Sequence, residues 1–401
     1  MEPIAAVSVR DDLPMVFHWG QGTIDSPQCR AGPARDTRGM TLGRFDVCHG
    51  DADGLCAVRQ WRLHMPAAAT LVTGAKRDIA LLHRVPVRQA KEVLVCDLSL
   101  QRNHEALLRL LEAGVNVRWF DHHASPLVPV HPLLHARIDP SPQVCTSLLV
   151  DQALDGQFRA WALVGAYGDN LLERAEVLGR AAGFDSAYLS ALQQLGEAIT
   201  YNACSARIED GCVNPHEVYR RLSVSVDPVR VLERDPALRR LVRLRREDLA
   251  RAESCPALTQ SVDARVTVLP DAPWCRRVAG ALADHLLCAS PAQAQAVLLT
   301  QPDDTLRVSV RAGRSAVRAA DPEGADALCS RFGGGGRRMA AGIDRLPLMQ
   351  RDRFVRAFEV WAQGPPGRWS LAVPQAHVPE SSAPAQTSAR DRGHDTVDED
   401  G

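Results

Sequence analysis

Residues 44–54 have the sequence RFDVCHGDADG, in which a short apolar strand runs directly into three polar side chains and a glycine. The polar residues are His49, Asp51 and Asp53, at alternate positions. Inside a core, each of them would need a partner to offset its desolvation. At the end of a strand they can instead converge on one cation. This stretch therefore predicts a buried strand that ends at a metal site.

Two later segments repeat this arrangement. The first, EVLVCD, ends at Asp97, and the second, VNVRWFDHH, ends with Asp121, His122 and His123. Open parallel sheets place their active sites beyond the C-terminal ends of the strands. Three strands that deliver carboxylates and imidazoles to that edge predict a site for two metal ions.

The pattern from residue 41 onward alternates apolar strands with helical stretches. We predict strands over 45–49, 70–73, 93–97 and 115–120, and a helix over 55–64. A further helix precedes the fourth strand, with Asn103 as its cap and Gly114 as its stop. Strands this apolar, separated by helices, are typical of a parallel sheet covered on both faces. Mainly helical sequence follows over 147–222.

The second half of the chain predicts a smaller mixed α/β domain, with strands over 266–269, 296–300 and 306–310 and a helix over 276–287. An arginine-studded stretch over 228–252 predicts one helix between the domains. The predicted order is an unstructured extension (1–40), a catalytic domain (41–225), a linker helix (226–255), a substrate-binding domain (256–363) and a disordered tail (364–401).

The composition is ordinary for a globular protein, with 45% apolar and 24% charged residues in 401. A net charge of -1 gives no global attraction to nucleic acid or to an anionic membrane. The 11 cysteines are scattered singly, and no long apolar segment or signal-peptide pattern occurs. These features predict a cytoplasmic protein with no membrane association.

Each motif has a plainer alternative. A calcium loop also alternates its ligands, but its twelfth position, counted with His49 as the first, is Gln60 where that loop needs a glutamate. Asp97 alone could be a helix cap, although Ser99 or Asn103 can cap the next helix instead. Asp169 follows the apolar run WALVGAYG and is therefore predicted to be buried, where it needs a cation or a hydrogen-bond partner.

The segment FGGGGRRMAAG at residues 332–342 is a second candidate site. Consecutive glycines can turn backbone N–H groups toward an anion, and we expect a following helix to add its positive end. A flexible glycine linker is the plainer alternative. The predicted substrate-binding residues are Gly334, Gly335, Gly336, Arg337 and Arg338, together with Arg311 at the end of the strand over 306–310.

Together these residues resemble the DHH phosphoesterase family, named for the triplet found here as Asp121-His122-His123. The likeness covers about residues 41–346, with His49-x-Asp51-x-Asp53, Asp97 and Asp169 as the other motifs. The glycine segment resembles the DHH-associated domain of RecJ-type exonucleases and nanoRNA phosphatases. In relatives this glycine motif often continues into histidine, whereas Arg337 stands here.

The resemblance implies a parallel-sheet catalytic domain, a linker helix and a smaller substrate-binding domain around two manganese or magnesium ions. One ion would be held by His49, Asp51 and Asp97. The other would be held by Asp53, Asp97, His122 and Asp169, with Asp97 bridging the two. Asp121 would orient the neighbouring histidine, and His123 would face the scissile phosphate. Arg311 and the glycine motif would hold a second phosphate or the nucleotide end.

The implied activity is hydrolysis of phosphodiester or phosphomonoester bonds in nucleotides or short oligonucleotides. A RecJ-type single-strand exonuclease is one competing interpretation, although nothing resembles the extra oligonucleotide-binding domain of long exonucleases. A non-catalytic nucleotide sensor and a pyrophosphatase are two more. The sequence leaves open whether the chain forms a homodimer.

Overall fold

The computed structural model describes residues 43–76, 78–125, 127–204, 213–314, 316 and 323–364. The predictions for residues 1–40 and for the tail beyond Gly364 lie outside these ranges. The described residues form a parallel sheet and a separate mixed sheet, each packed against helices. This is the two-domain α/β fold class predicted from the sequence, which is thereby confirmed.

The first sheet has five parallel strands in the order β2-β1-β3-β4-β5. They are β1 (Arg44–His49), β2 (Thr70–Gly74), β3 (Glu92–Cys96), β4 (Asn116–Asp121) and β5 (Leu134–Ile138). Cys48 of β1 pairs with Cys96 of β3, which pairs with Phe120 of β4. The three central strands β1, β3 and β4 therefore end at the same level. The next residues along the chain, His49, Asp97 and Asp121, lie side by side at this edge of the sheet.

Helices α1 (Ala52–His64) and α2 (Leu100–Glu112) follow β1 and β3. Gly114, with φ of 79°, lies just beyond α2 at the predicted stop. Asn103 is not the cap, because α2 already begins at Leu100. The Asn103 side chain is buried inside α2, where its amide donates to the carbonyl oxygens of Ile79 and Ser99 and accepts from Leu82 N.

A helical layer follows the sheet along the chain. It contains α3 (Thr146–Ala153), α4 (Arg159–Gly168), α5 (Leu172–Ala181), α6 (Ser186–Ala203) and α7 (Pro215–Leu222). Helix α4 packs against both α1 and α6. Its side chains from Trp161 to Ala166 are almost completely buried, as its uniformly apolar sequence predicts.

The backbones of α4 and α6 touch at Gly196, and we expect Gly196→Ala to destabilise the protein by about 2 kcal/mol through overpacking. A Cβ at Gly196 would lie 2.2 Å from the Val164 carbonyl oxygen. Helix α10 (Pro273–Ala289) offers a matched control, because a Cβ at Gly280 would meet nothing closer than 4.0 Å. Gly280→Ala should be neutral or slightly stabilising. Equal denaturation midpoints for the two variants would contradict this prediction.

The helix predicted over 228–252 is two helices, so that prediction is wrong in this detail. They are α8 (Pro228–Arg234) and α9 (Pro236–Glu253). The Asp235 carboxylate accepts from Ala237 N and Leu238 N at 2.8 and 3.1 Å, which caps α9. Pro236 occupies the first position of α9, where its missing N–H costs no hydrogen bond.

The second sheet has six strands in the order β10-β11-β9-β8-β7-β6, and only β7 and β8 pair in parallel. The strands are β6 (Ala257–Gln260), β7 (Ala264–Leu269), β8 (Ala294–Thr300), β9 (Thr305–Arg311), β10 (Gly335–Arg337) and β11 (Ala340–Pro347). Two further helices, α11 (Ala325–Ser330) and α12 (Arg351–Gln363), belong to this half of the chain. Helix α10 packs against α9 and α6, and this contact joins the two sheets.

None of the described helices is both long enough and apolar enough to span a membrane.

Candidate metal centre

The end of β1 supplies three side chains that are almost completely buried, His49, Asp51 and Asp53. Asp51 caps α1 by accepting from Gly54 N at 3.2 Å. Asp53 lies in the first turn of α1 and accepts from the backbone N–H groups of Thr146 and Ser147 at 2.8 and 2.7 Å. The first turn of α3 therefore fixes the Asp53 carboxylate.

Asp97 follows β3 and adopts φ of 58°, a left-handed conformation that few residues other than glycine, asparagine and aspartate adopt. One of its carboxylate oxygens lies 3.6 Å from Nδ1 of His49, and the other lies 3.4 Å from Nε2 of His122. Asp97 thus stands between the end of β1 and the end of β4, and its bridging of two ions stays a prediction.

The residues Asp121, His122 and His123 stand at the end of β4. Asp121 is fully buried, and one of its oxygens accepts from His122 N at 2.8 Å and from Nδ1 of His123 at 2.7 Å. The two imidazole rings lie 80° apart and face different sides. His122 points toward Asp97 and Asp169, whereas the His123 side chain is 36% exposed.

Asp169 directly follows α4, and its Oδ2 lies 3.6 Å from Nδ1 of His122. Its backbone N–H donates to the Gly165 carbonyl, so it belongs to the last turn of the helix. The same Nδ1 of His122 lies 3.0 Å from the Val144 carbonyl oxygen. The helical layer therefore brings a fourth segment of the chain, distant in sequence, to the edge of the sheet.

The residues predicted as metal ligands, together with His123, form three clusters, in each of which the candidate ligand atoms lie within 4.8 Å of one another. The clusters are His49/Asp51/Asp97, Asp53/His122/Asp169 and Asp97/His122/His123. Nε2 of His49 and Oδ2 of Asp169 are buried and have no hydrogen-bond partner among the described residues. Carboxylates are ligands that manganese and magnesium prefer, and carboxylates together with imidazoles suit manganese better than a set of thiolates would. The set is therefore compatible with two divalent cations, and the role of each residue stays a prediction.

The clustered acids shift one another's protonation. Burial raises the pKa of Asp53 to about 6, and the nearby Asp97 charge adds to that shift. Burial also raises the pKa of Asp169. Burial lowers the pKa of His122, but its hydrogen bond to Asp97 and the charges of Asp169 and Asp53 outweigh burial and raise the pKa to about 10. Without a metal, the centre therefore balances its negative charge with bound protons.

We expect the rise in melting temperature caused by manganese to shrink as pH falls from 8 to 5. The folded-state pKa of Asp53 lies above its ordinary 3.8, so the metal-free protein gains stability as pH falls through about 6. Manganese needs the ionised carboxylate and a neutral His122, so protons compete with it. Thermal melts with and without manganese at each pH measure this. A shift that is constant over the range would contradict the prediction.

Lys76, which follows β2, is a residue that the sequence motifs did not assign to the site. Its ammonium lies 2.9 Å from Oδ2 of Asp51. Burial lowers the pKa of Lys76, but the carboxylates around it, Asp51 first, raise the pKa well above its ordinary value. The only sequence signal was its residue type, because Lys76 and Lys91 are the two lysines of the chain.

Two arginines of the second domain reach the same region. Arg337, at the end of β10, has a guanidinium nitrogen 3.3 Å from each ring nitrogen of His122. Arg311, at the end of β9, is held by two hydrogen bonds from its guanidinium to Asp284, at 2.6 and 2.9 Å. Asp284 also accepts from the side chain of Asn170, the neighbour of Asp169. Arg337 therefore lies at the candidate metal centre and faces it from the other domain, whereas Arg311 is linked to its edge only through Asp284 and Asn170. Their role in substrate binding stays a prediction.

The glycine segment forms a hairpin rather than a turn into a helix, so the predicted helix after it is wrong. Gly335 and Gly336 belong to β10, which pairs antiparallel with β11. Gly334 precedes them and donates its N–H to the Cys329 carbonyl. Gly336 has φ of 146°, and a Cβ there would lie 2.5 Å from Cα of Ala341. Arg338 accepts through its carbonyl from Ala325 N, at the start of α11.

No protein-family model matches the sequence, and no curated protein matches it. Among solved structures, RecJ from Thermus thermophilus in complex with Mn2+ is similar over 80% of this chain and 52% of that chain, with 19% identity and a TM-score of 0.53. A structure of exonuclease RecJ bound to manganese is similar over 80% of this chain and 91% of that chain, with 19% identity and a TM-score of 0.52.

The chain thus spans about half the length of the first RecJ structure and most of the second. At this level of identity the similarity establishes the fold and leaves the chemistry to the residues. The four motifs and the arrangement of the two sheets agree with it. The chain therefore has the two-domain α/β fold of these RecJ structures.

Proposed function

We propose that the protein is a metal-dependent phosphoesterase that hydrolyses phosphodiester or phosphomonoester bonds in nucleotides or short oligonucleotides. The observation that carries this proposal is the meeting of His49, Asp53, Asp97, His122 and Asp169 around one point. Arg337 of the second domain faces the same point. Carboxylates and imidazoles beside an arginine match the needs of a phosphate at a pair of cations.

Two divalent cations, manganese or magnesium, would activate a water for attack and neutralise charge on the phosphoryl oxygens. His49, Asp51 and Asp97 would hold one ion, and Asp53, Asp97, His122 and Asp169 would hold the other. The backbone N–H groups of α3 that bind Asp53 keep its carboxylate in place before any ion arrives. Such preorganisation lowers the cost of assembling the site.

His123 would act on the side of the centre that faces solvent. Its Nδ1 is bonded to the buried carboxylate of Asp121 at 2.7 Å, which leaves Nε2 available to the substrate. The carboxylate at Nδ1 fixes the orientation of the ring. His123 would therefore stabilise charge on the scissile phosphate, or give a proton to the leaving oxygen.

The second domain would bind the rest of the substrate. Under this proposal residues 41–225 form the catalytic domain, 226–255 the linker and 256–363 the substrate-binding domain. Arg337 would contact a phosphate next to the metal ions. The exposed glycines before it leave room for a nucleotide to approach the backbone. The Arg311 guanidinium is already paired with the Asp284 carboxylate. Arg311 would therefore contact substrate only through guanidinium N–H groups that are not used by Asp284.

The test is hydrolysis by the purified full chain, loaded with manganese, of a panel of short RNAs, short DNAs, cyclic dinucleotides and nucleoside bisphosphates. We expect release of mononucleotide or phosphate that stops with EDTA and returns with added manganese. Longer single-stranded DNA and pyrophosphate belong in the same panel. Preferred cleavage of these would favour an exonuclease or a pyrophosphatase. No cleavage of any substrate by metal-loaded protein would contradict the proposal.

A further inference from the structure

Lys76 differs from the other basic residues of the chain in both type and position. Of the 47 lysine and arginine residues, only Lys76 and Lys91 are lysines. Lys91 is exposed just before β3, whereas Lys76 is half-buried beside the candidate metal centre. Lysine and arginine are not interchangeable beside a carboxylate. In a chain that uses arginine almost everywhere, a lysine at this position therefore indicates that an ammonium, and not a guanidinium, is needed there.

The main chain fixes the position of Lys76. Its N–H donates to the Ala203 carbonyl at the end of α6, at 3.1 Å. Two residues earlier, the Gly74 carbonyl accepts from Gly50 N at 3.0 Å, which ties the end of β2 to the loop that carries Asp51. The contact between Lys76 and Asp51 therefore joins two anchored segments, and only 39% of the lysine side chain is exposed.

The carboxylate that Lys76 binds is also one that a metal ion would use. Oδ1 of Asp51 accepts from Gly54 N, and Oδ2 accepts from Lys76. Asp51 belongs to the cluster with His49 and Asp97, whose ligand atoms lie within 4.8 Å of one another. An ion there would stand a few ångströms from the ammonium. Like charges this close repel each other, and a divalent ion is repelled more strongly than a monovalent one.

We propose that Lys76 is an internal counter-cation of the metal centre, which shares Asp51 with a divalent ion. In the absence of the ion it holds the acid cluster together, and in its presence it weakens the ion's binding. The proposal rests on the metal centre of the proposed function and not on the identity of the substrate.

The compact ammonium is what makes sharing possible. A lysine donates to a carboxylate as a point charge through single N–H bonds, so one oxygen of Asp51 keeps its remaining lone pair for a metal. A guanidinium at the same place would bind both oxygens as a fork and would exclude the ion. Removal of the charge and replacement by arginine should therefore change metal affinity in opposite directions.

The experiment measures Mn²⁺ binding by titration calorimetry on metal-free full chain, together with melting temperatures with and without Mn²⁺. We expect Lys76→Met to bind Mn²⁺ at least tenfold more tightly while its metal-free form melts at a lower temperature. Lys76→Arg should bind about tenfold more weakly. Lys91→Met and Lys91→Arg are the matched controls and should equal the wild type.

A Lys76→Met variant with the affinity of the wild type, or a weaker one, would overturn the proposal. A purely structural role would lower the melting temperatures of both forms equally and leave the affinity unchanged. If Lys76→Met fails to fold, Lys76→Arg decides, since an unchanged affinity there also overturns it. If the wild-type protein binds no Mn²⁺, the proposal that these residues form a metal centre is wrong, and the proposal for Lys76 is wrong with it. If the wild-type protein binds Mn²⁺ but hydrolyses no substrate, only the proposed phosphoesterase activity is contradicted.

Discussion

Replacement of Asp97 by asparagine should lower turnover about a thousandfold, equivalent to about 4 kcal/mol of transition-state stabilisation, while leaving the fold intact. Asp97 is the one carboxylate that reaches both His49 and His122 among the described residues. Burial alone would raise the pKa of Asp97, but hydrogen bonds from these two histidines outweigh it and hold the pKa well below its ordinary value. The carboxylate is therefore charged and placed to serve both predicted ions.

Asparagine is the suitable replacement because it keeps the size of the side chain and tolerates the left-handed backbone at φ of 58°. The matched control is Asp304→Asn, since Asp304 also has a positive φ, 53°, but lies exposed in the turn before β9. Turnover with manganese and calorimetric manganese binding are measured for both variants. If the Asp97→Asn variant keeps full turnover, or loses no more turnover than the Asp304→Asn variant, Asp97 is not a metal ligand of the centre.

The sequence could place these side chains near one another because the geometry of a parallel sheet is simple. Strands that end level bring the residues after them to one edge, so His49, Asp97 and Asp121 had to be neighbours once the strands were recognised. Asp169 was predicted from a different signal, a carboxylate that directly follows a fully apolar helix. These two signals depend on short-range sequence only.

Contacts between residues that are distant in the sequence could not be predicted in this way. The hydrogen bonds from the backbone N–H groups of Thr146 and Ser147 to the Asp53 carboxylate depend on where α3 begins relative to α1. The approach of Arg337 to His122 spans 215 residues and depends on the angle between the domains. The helix after the glycine segment was predicted wrongly because glycine carries no periodicity, so a hairpin and a helix start look alike. Strand β5 was missed because its side chains are largely exposed.

The sequence motifs therefore do not determine the angle between the two domains, although the site depends on it. A network of buried charged and polar side chains fixes this angle. Oδ2 of Asp248 on α9 accepts from the hydroxyl of Tyr201 on α6 at 2.7 Å. It also accepts from Nη2 and Nε of Arg277 on α10, at 2.5 and 3.1 Å. The three side chains come from three different helices, α6, α9 and α10, and all are buried.

We expect Asp248→Ala to destabilise the protein by about 3–5 kcal/mol, because it removes a carboxylate that helps to offset the burial of the Arg277 charge. The same variant should weaken substrate binding, since α10 also carries Asp284, which holds Arg311. Denaturant unfolding and KM measure the two effects. Glu247→Ala is the control on the same helix, since Glu247 pairs with Arg243 on the surface and such pairs contribute little.

A second variant separates the burial of charge from the shape of the interface. Replacing all three members, by Tyr201→Phe, Asp248→Leu and Arg277→Met, leaves no charge to desolvate, and such replacements are often neutral in stability. We expect this variant to fall within about 2 kcal/mol of the wild type and yet to bind substrate less well, because apolar contacts fix an angle less strictly than directed hydrogen bonds do. If its substrate binding matches the wild type, the hydrophobic contact of α10 with α9 and α6 sets the geometry of the cleft by itself, and the ionic network contributes nothing to the alignment of Arg337 with His122.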